Sequence, residues 1–222
     1  MRPSKIVIFG LAGGLAFGWL AFEPPHPRRA GAFSYQPPPE RTGAPGELTC
    51  NACHDLVGTP ETGTLSIDVP AEYVPSQTHT ITVTLQDPGQ QRWGFELVPL
   101  RVDAGNQTLV MAGSLTNLTA HTTIAELANG RQYISHTSNQ GDVGEPDGTY
   151  AGTVDGPVSW SFTWTAPPSG SGPVIFYAAG NAANGNLNST GDYIYTTTAV
   201  STEGPTTAVE QTTWGKIKQK YR

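Results

Sequence analysis

The chain has 222 residues, of which only 14% are charged, and 26 are glycine and 19 proline. A length of this order corresponds to one domain with appendages or one large all-β unit, and two globular domains are not expected. Threonine contributes a further 28 residues. Because glycine, proline and threonine favour turns and strands, this composition disfavours long helices and coiled coils and predicts an all-β domain.

The overall net charge of −6 conceals a strongly acidic central part. Residues 33–204 hold four arginines, no lysine and sixteen acidic residues, which leaves a net charge of −12. A chain without a basic face cannot release counterions from phosphates, so nucleic-acid binding is excluded. A positively charged patch on another protein would suit this surface better.

Residues 1–32 are interpreted as a signal peptide or a membrane anchor. A basic start precedes an uncharged, largely apolar run at 6–22, which we expect to form a hydrophobic helix. The small residues at 30–32 offer a cleavage site, whereas Gly10, Gly14 and Gly18 form the small-residue stripe of packed membrane helices. Either interpretation predicts a periplasmic or extracellular protein, with attachment to the cytoplasmic membrane through 6–22 left open.

Residues 33–60 are interpreted as a proline-rich linker and a haem-attachment segment, and the proline-rich stretch at 23–48 is expected to be an extended tether. Residues 33–60 contain the only two cysteines of the chain, Cys50 and Cys53, and His54 follows them directly. This Cys-x-x-Cys-His spacing is typical of c-type haem attachment. Each thiol adds to one vinyl group of the haem, and the adjoining imidazole reaches the iron.

Other interpretations of the two cysteines are weaker. A structural zinc site needs four ligands, and here a second ligand pair is missing. A redox-active Cys-x-x-Cys normally opens a helix in a βαβ unit, which an all-β chain does not offer. We therefore predict haem c, with a zinc site and a redox or disulfide pair as the alternatives.

Residues 61–200 are predicted to form an antiparallel β-sandwich of the immunoglobulin-like kind. Apolar residues alternate with threonine or serine at 79–85 and 158–164, which is typical of half-buried strands. Further strands are expected at 63–69, 93–100, 108–112, 173–178 and 193–199, and a short helix around 122–128. About seven short strands over this length favour a sandwich.

Several residues could complete the coordination of a haem iron. His136 lies at the end of a strand-like stretch that enters a polar loop, a common place for cofactor ligands. His79 shares the apolar face of its strand, and Met111 follows a strand, although a lone methionine is usually core packing. The iron could also keep an open position.

Little else in the sequence indicates chemistry. Asn181–Asn186 and Asp192 could suggest calcium, but asparagine-glycine pairs are ordinary turns. No catalytic triad or phosphate loop is present, so we do not expect an enzyme.

Residues 201–222 form a basic, aromatic C-terminal tail that either docks to a partner or membrane or is a solvated end.

Four stretches carry a resemblance to a known family: residues 43–54, which include the Cys-x-x-Cys-His motif, and residues 130–137, 160–164 and 176–195. The sequence resembles the choice-of-anchor V domain family, whose β-sandwich is similar to the reelin-type (Reeler) fold. In that family the motif recurs with a downstream Tyr-x-x-His-Thr, which implies that Cys50, Cys53, His54 and His136 form one site. The family is described by its domain and anchor, and it implies no reaction.

These observations together predict an exported monohaem c-type cytochrome that carries single electrons. Cys50 and Cys53 bind the haem, and His54 and His136 bind its iron, with His79, then Met111, then an open position as alternatives to His136. Two imidazoles would close both axial positions and leave electron transfer as the activity. The expected partner is a redox protein or a membrane electron-transfer complex; the alternative is a non-catalytic structural or interaction subunit of a membrane-associated assembly.

Overall fold

The computed structural model describes residues 33–54, 62–138 and 147–205, which contain one 3₁₀ turn and eleven strands. In chain order they are η1 (Cys50–Ala52), β1 (Thr64–Asp68), β2 (Glu72–Tyr73), β3 (Thr78–Gln86), β4 (Arg92–Val102), β5 (Leu109–Met111), β6 (Ser114–Asn117), β7 (Thr122–Glu126), β8 (Gln132–His136), β9 (Val158–Thr165), β10 (Val174–Ala183) and β11 (Tyr193–Glu203).

The strands form two sheets. The smaller has the order β1-β3-β9-β6, and the larger has the order β2-β11-β10-β4-β8-β7, with β5 added beside β4. All pairings are antiparallel except that of β2 with β11. The prediction of an all-β antiparallel sandwich is therefore confirmed.

The core between the sheets follows from the alternation in the sequence. Trp160, Phe162 and Trp164 of β9 are buried, while the serine and threonine residues between them stay partly exposed. Trp160 stacks on Phe95 of β4 with ring centroids 4.6 Å apart, and such aromatic pairs contribute about 0.5–1.5 kcal/mol beyond their buried area. Burial of these large rings fixes which face of each strand points inward.

The predicted helix around 122–128 is wrong, because this segment is strand β7. It pairs with β8 in antiparallel register, from Thr122 opposite His136 to Glu126 opposite Gln132. Two threonines and Ile124 supply β-branched side chains that lose rotamer freedom in a helix and fit a pleated surface. The pairing matters for function because β7 holds the end of β8, where His136 lies.

Part of the predicted linker packs against the larger sheet. Thr42 and Ala44 are almost fully buried, and Ala44 joins a cluster with Val98, Leu100 and Tyr133 on the outer face of that sheet. Strand β4 is consequently buried on both faces. The proline-rich composition did not reveal this because the contacts come from the few residues that follow the prolines.

Glu47 anchors this segment. Its carboxylate accepts a hydrogen bond from the Tyr133 hydroxyl at 2.6 Å and pairs with the Arg131 guanidinium at 3.2 Å. On the same side, the backbone amide of Arg41 donates to Glu96 at 2.6 Å. These bonds hold the chain that leads into η1 against β4 and β8.

The predicted hydrophobic helix at 6–22 and most of the predicted C-terminal tail lie outside the described residues. Within 33–54, 62–138 and 147–205, no helix has the length and apolar character needed to cross a membrane.

Candidate functional site

The Cys-x-x-Cys-His motif forms a single 3₁₀ turn. Thr49 caps it by accepting the amide hydrogen of Asn51, and the amides of Cys53 and His54 both donate to the carbonyl of Cys50. Cys50 is the first residue of the turn, and Cys53 is its C-terminal cap.

This turn forms part of the wall of a cavity of about 380 Å³, which lies within the roughly 300–1,000 Å³ range of cofactor sites. The lining includes Cys50, Cys53, His54 and His136, so the four residues predicted to form one site surround one space. Their roles stay a prediction. The apolar part of the wall is formed by Phe33, Trp93, Phe95, Ala183 and Leu187.

His136 reaches this cavity from the end of β8 and is only 8% exposed. Its ring lies over Gly94 of β4, where a Cβ atom would come within 2.7 Å of Cε1. Nδ1 lies 3.0 Å from the amide nitrogen and 3.2 Å from the carbonyl oxygen of Phe95, and Nε2 lies 3.4 Å from the carbonyl oxygen of Phe33. Burial lowers the pKa of His136, which favours the neutral imidazole.

His54 lies against the β10 side of the larger sheet. Its Nδ1 is 2.5 Å from a carboxylate oxygen of Asp192, which is 1% exposed. The amide nitrogen of Asn181 lies 3.1 Å from Nδ1 and 3.3 Å from Nε2. Asn181 of β10 is the register partner of Gly94 of β4. Two facing residues therefore contact the two imidazoles: Asn181 contacts His54, and Gly94 lies beneath His136.

The electrostatic surroundings of Cys50 keep its thiol protonated. Burial and the nearby Glu96 raise the pKa of Cys50 to about 12. Burial likewise raises the pKa of Glu96 to about 8. A redox-active cysteine needs a lowered pKa, so this environment does not favour thiol-disulfide exchange at Cys50.

Two residues at the cavity retain buried polar atoms without a partner among the described residues. They are Nε of Arg41 and Oδ1 of Asn181. Buried polar atoms are normally hydrogen-bonded, so both indicate that the cavity is shaped for a ligand with polar groups. Arg92 also lines the cavity and donates to the Thr149 hydroxyl at 3.1 Å.

A haem fits these residues on the grounds of donor chemistry. The space offers two thiols, two imidazoles, an apolar wall, and the cations Arg41 and Arg92, which suit the acidic side chains of a porphyrin. By contrast, the described residues contain no group of three or more His, Cys, Asp or Glu side chains that could hold a bare metal ion.

The other predicted iron ligands lie elsewhere. Neither His79 nor Met111 lines the cavity. The His79 ring lies beside Trp164 at 5.9 Å between centroids, and the Met111 sulfur is 3.5 Å from the amide of Gln132. Both therefore belong to the packing of the sandwich.

The sequence pattern did not reveal that Asp192 and Asn181 contact His54, or that the ring of His136 lies over Gly94. The pattern around the first two is typical of turns because they flank an asparagine-rich loop. Both nevertheless fall within the segment 176–195 that carries the family resemblance, and this was the available signal.

The sequence matches no protein-family model and no curated protein. Among solved structures, the human F-spondin reeler domain is similar with a TM-score of 0.39 and 19% identity, and the match covers 66% of this chain and 91% of that domain. A cohesin module from a Clostridium perfringens family 33 glycoside hydrolase has a TM-score of 0.35 and 12% identity over 66% of this chain and all of the module. Likenesses at this level carry no argument about function.

Proposed function

We propose that the protein is an exported monohaem c-type cytochrome that carries single electrons. The observation that supports this most is the convergence of Cys50, Cys53, His54 and His136 on one cavity. Three of these residues come from one short turn and the fourth from the end of a distant strand. Export is inferred from the apolar segment 6–22 and from the need to attach c-type haem outside the cytoplasm.

The two cysteines hold the cofactor covalently. Cys50 and Cys53 would each hold the haem through a thioether bond to one former vinyl group, and both atoms of the S–H group would be retained in the adduct. The position of both cysteines in the lining of the same cavity supports this role. When bound, the haem supplies an iron that gains or loses one electron.

His54 and His136 are proposed as the two axial ligands. Metal binding needs a neutral imidazole with a free nitrogen lone pair. Burial of His136 favours that neutral form, and donation of the Nδ1 hydrogen to the Phe95 carbonyl, 3.2 Å away, would leave the lone pair on Nε2. If His54 and His136 both held the iron, substrates would be excluded from it, which is why electron transfer is proposed in place of catalysis.

A redox protein or a membrane electron-transfer complex is the proposed partner. Phe33 and Leu187 line the cavity while remaining 48% and 86% exposed, so an apolar rim surrounds the site. Electrons pass between two cofactors only when these are close together, so the partner would have to dock at this rim. The net charge of −12 over residues 33–204 favours a partner with a basic surface.

The test is covalent haem content. The full chain is produced in a host that has cytochrome maturation machinery, and its intact mass and pyridine haemochrome spectrum are measured. We expect one haem per chain, and none after replacement of both Cys50 and Cys53 by serine. A wild-type chain without haem under these conditions overturns the proposal and leaves a structural or interaction subunit as the function.

A further inference from the structure

The buried carboxylate of Asp192 has no role in the attachment of a cofactor, yet it makes the shortest polar contact at the site. It is 1% exposed and lies 2.5 Å from Nδ1 of His54, 138 positions away in the chain. Its other oxygen is 3.4 Å from the backbone amide of Asn184. A carboxylate this deeply buried needs such partners, and the imidazole is the main one.

The hydrogen-bond partners of His54 determine which ring nitrogen carries the proton. An ionised carboxylate only accepts hydrogen bonds, so Nδ1 must donate to Asp192. The amide nitrogen of Asn181 lies 3.1 Å from Nδ1 and 3.3 Å from Nε2, and once Nδ1 donates to Asp192 only Nε2 can accept from it. The contact with Asp192 therefore sets the tautomer, with the lone pair on Nε2.

This arrangement has a consequence for a bound metal. A carboxylate that accepts the Nδ1 proton of a ligating imidazole fixes the ring orientation and makes the imidazole a stronger electron donor. A stronger donor and a nearby negative charge both stabilise the more highly charged state of the metal. The effect on a haem iron is a lower reduction potential.

We propose that Asp192 is a positioning residue that holds His54 in the Nδ1-protonated tautomer and lowers the reduction potential of the haem. The inference rests on the proposed function because it concerns the same site. It goes beyond that function because it assigns the tuning of the electron carrier to a residue outside the attachment motif.

A purely structural role for Asp192 is the competing explanation. The contact joins the attachment turn to the loop between β10 and β11, so it could merely anchor that turn. The isosteric change Asp192→Asn separates the two roles, because an asparagine oxygen can still accept from Nδ1 while the negative charge is lost. An anchor would survive this change, whereas the effect of the charge on the iron would not.

The first experiment measures the reduction potential of the haem-loaded full chain for wild type and Asp192→Asn. The matched control is Asp87→Asn, which removes another fully buried carboxylate that bonds Tyr195 and Thr62 and does not line the cavity. We expect a more positive potential for Asp192→Asn with one haem still attached, and little change for Asp87→Asn. Equal potentials for wild type and Asp192→Asn, with haem retained in both, overturn the inference.

The second experiment needs no haem. The full chain is produced without maturation machinery, and nitrogen-15 NMR of the imidazoles identifies the protonated nitrogen of His54 in the wild-type protein. We expect a proton on Nδ1, whereas a proton on Nε2 alone overturns the inference even if Asp192→Asn does not fold. Failure of the proposed function is separate, since it shows as a wild-type chain that takes up no haem.

Discussion

The ring of His136 lies directly over Gly94, so that the absence of a side chain on β4 makes room for the imidazole. A Cβ at Gly94 would lie 2.7 Å from Cε1 and 2.9 Å from Nδ1 of His136. Both atoms belong to a side chain that is itself enclosed and cannot easily move away. The glycine is therefore required by the close approach of the ring.

Replacement of Gly94 by alanine is expected to displace His136. Overpacking of this kind typically costs about 1–3 kcal/mol, and the displaced ring would no longer reach the iron. We expect a lower midpoint of denaturation and loss of the low-spin spectrum of the haem-loaded chain. The control is Gly105→Ala, whose Cβ would meet only the Asp103 side chain at 3.2 Å; equal behaviour of the two variants would contradict the prediction.

A second prediction concerns the identity of the sixth ligand. If His54 and His136 hold the iron of a bound haem as proposed, His136→Ala should open one coordination position and allow the iron to bind added imidazole or carbon monoxide. His79→Ala should leave the visible spectrum and ligand binding unchanged, since His79 lies beside Trp164 and away from the cavity. Absorption spectra of both variants, recorded with and without added ligand, distinguish His136 from His79 as the proposed iron ligand. The opposite pattern would assign the ligand to His79.

The strand pattern and the grouping of the motif with His136 could be predicted from the sequence, for different reasons. Alternation at Trp160, Phe162 and Trp164 reports burial directly, because one face of a strand must be apolar to be buried. The link between the motif and His136 came from the family resemblance. The contact of His54 with Asp192 depends on how the β10–β11 loop folds back over the turn, and no local pattern encodes that distance.

The third prediction tests how the attachment turn is held. Tyr133→Phe removes the hydroxyl that donates to Glu47 at 2.6 Å and leaves a buried carboxylate with one partner fewer. We expect a loss of about 1–3 kcal/mol in the free energy of unfolding and a lower yield of haem attachment. Denaturation curves and haem content provide the measurement. The matched control is Tyr177→Phe, because Tyr177 packs against the same apolar cluster. If both variants lost the same free energy of unfolding, the hydrogen bond to Glu47 would not be the cause.

The fourth prediction is a pH dependence of stability that originates at Glu96. Burial raises the pKa of this carboxyl in the folded chain to about 8, whereas the ordinary value is 4.5. The folded state therefore binds a proton that the unfolded state has released between these values. Stabilisation by Glu96 is complete below about pH 4.5 and is lost as the pH rises toward 8.

Replacement of Glu96 by glutamine isolates this contribution. The neutral amide mimics the protonated carboxyl and can still accept from the Arg41 amide. We expect the free energy of unfolding of wild type, relative to Glu96→Gln, to fall between pH 5 and pH 8 by up to about 1.4 kcal/mol per pH unit. Urea denaturation at both pH values measures the difference, with Glu126→Gln as the exposed control. A constant difference between wild type and Glu96→Gln across this range would contradict the prediction, because it would mean that Glu96 is ionised in the folded chain.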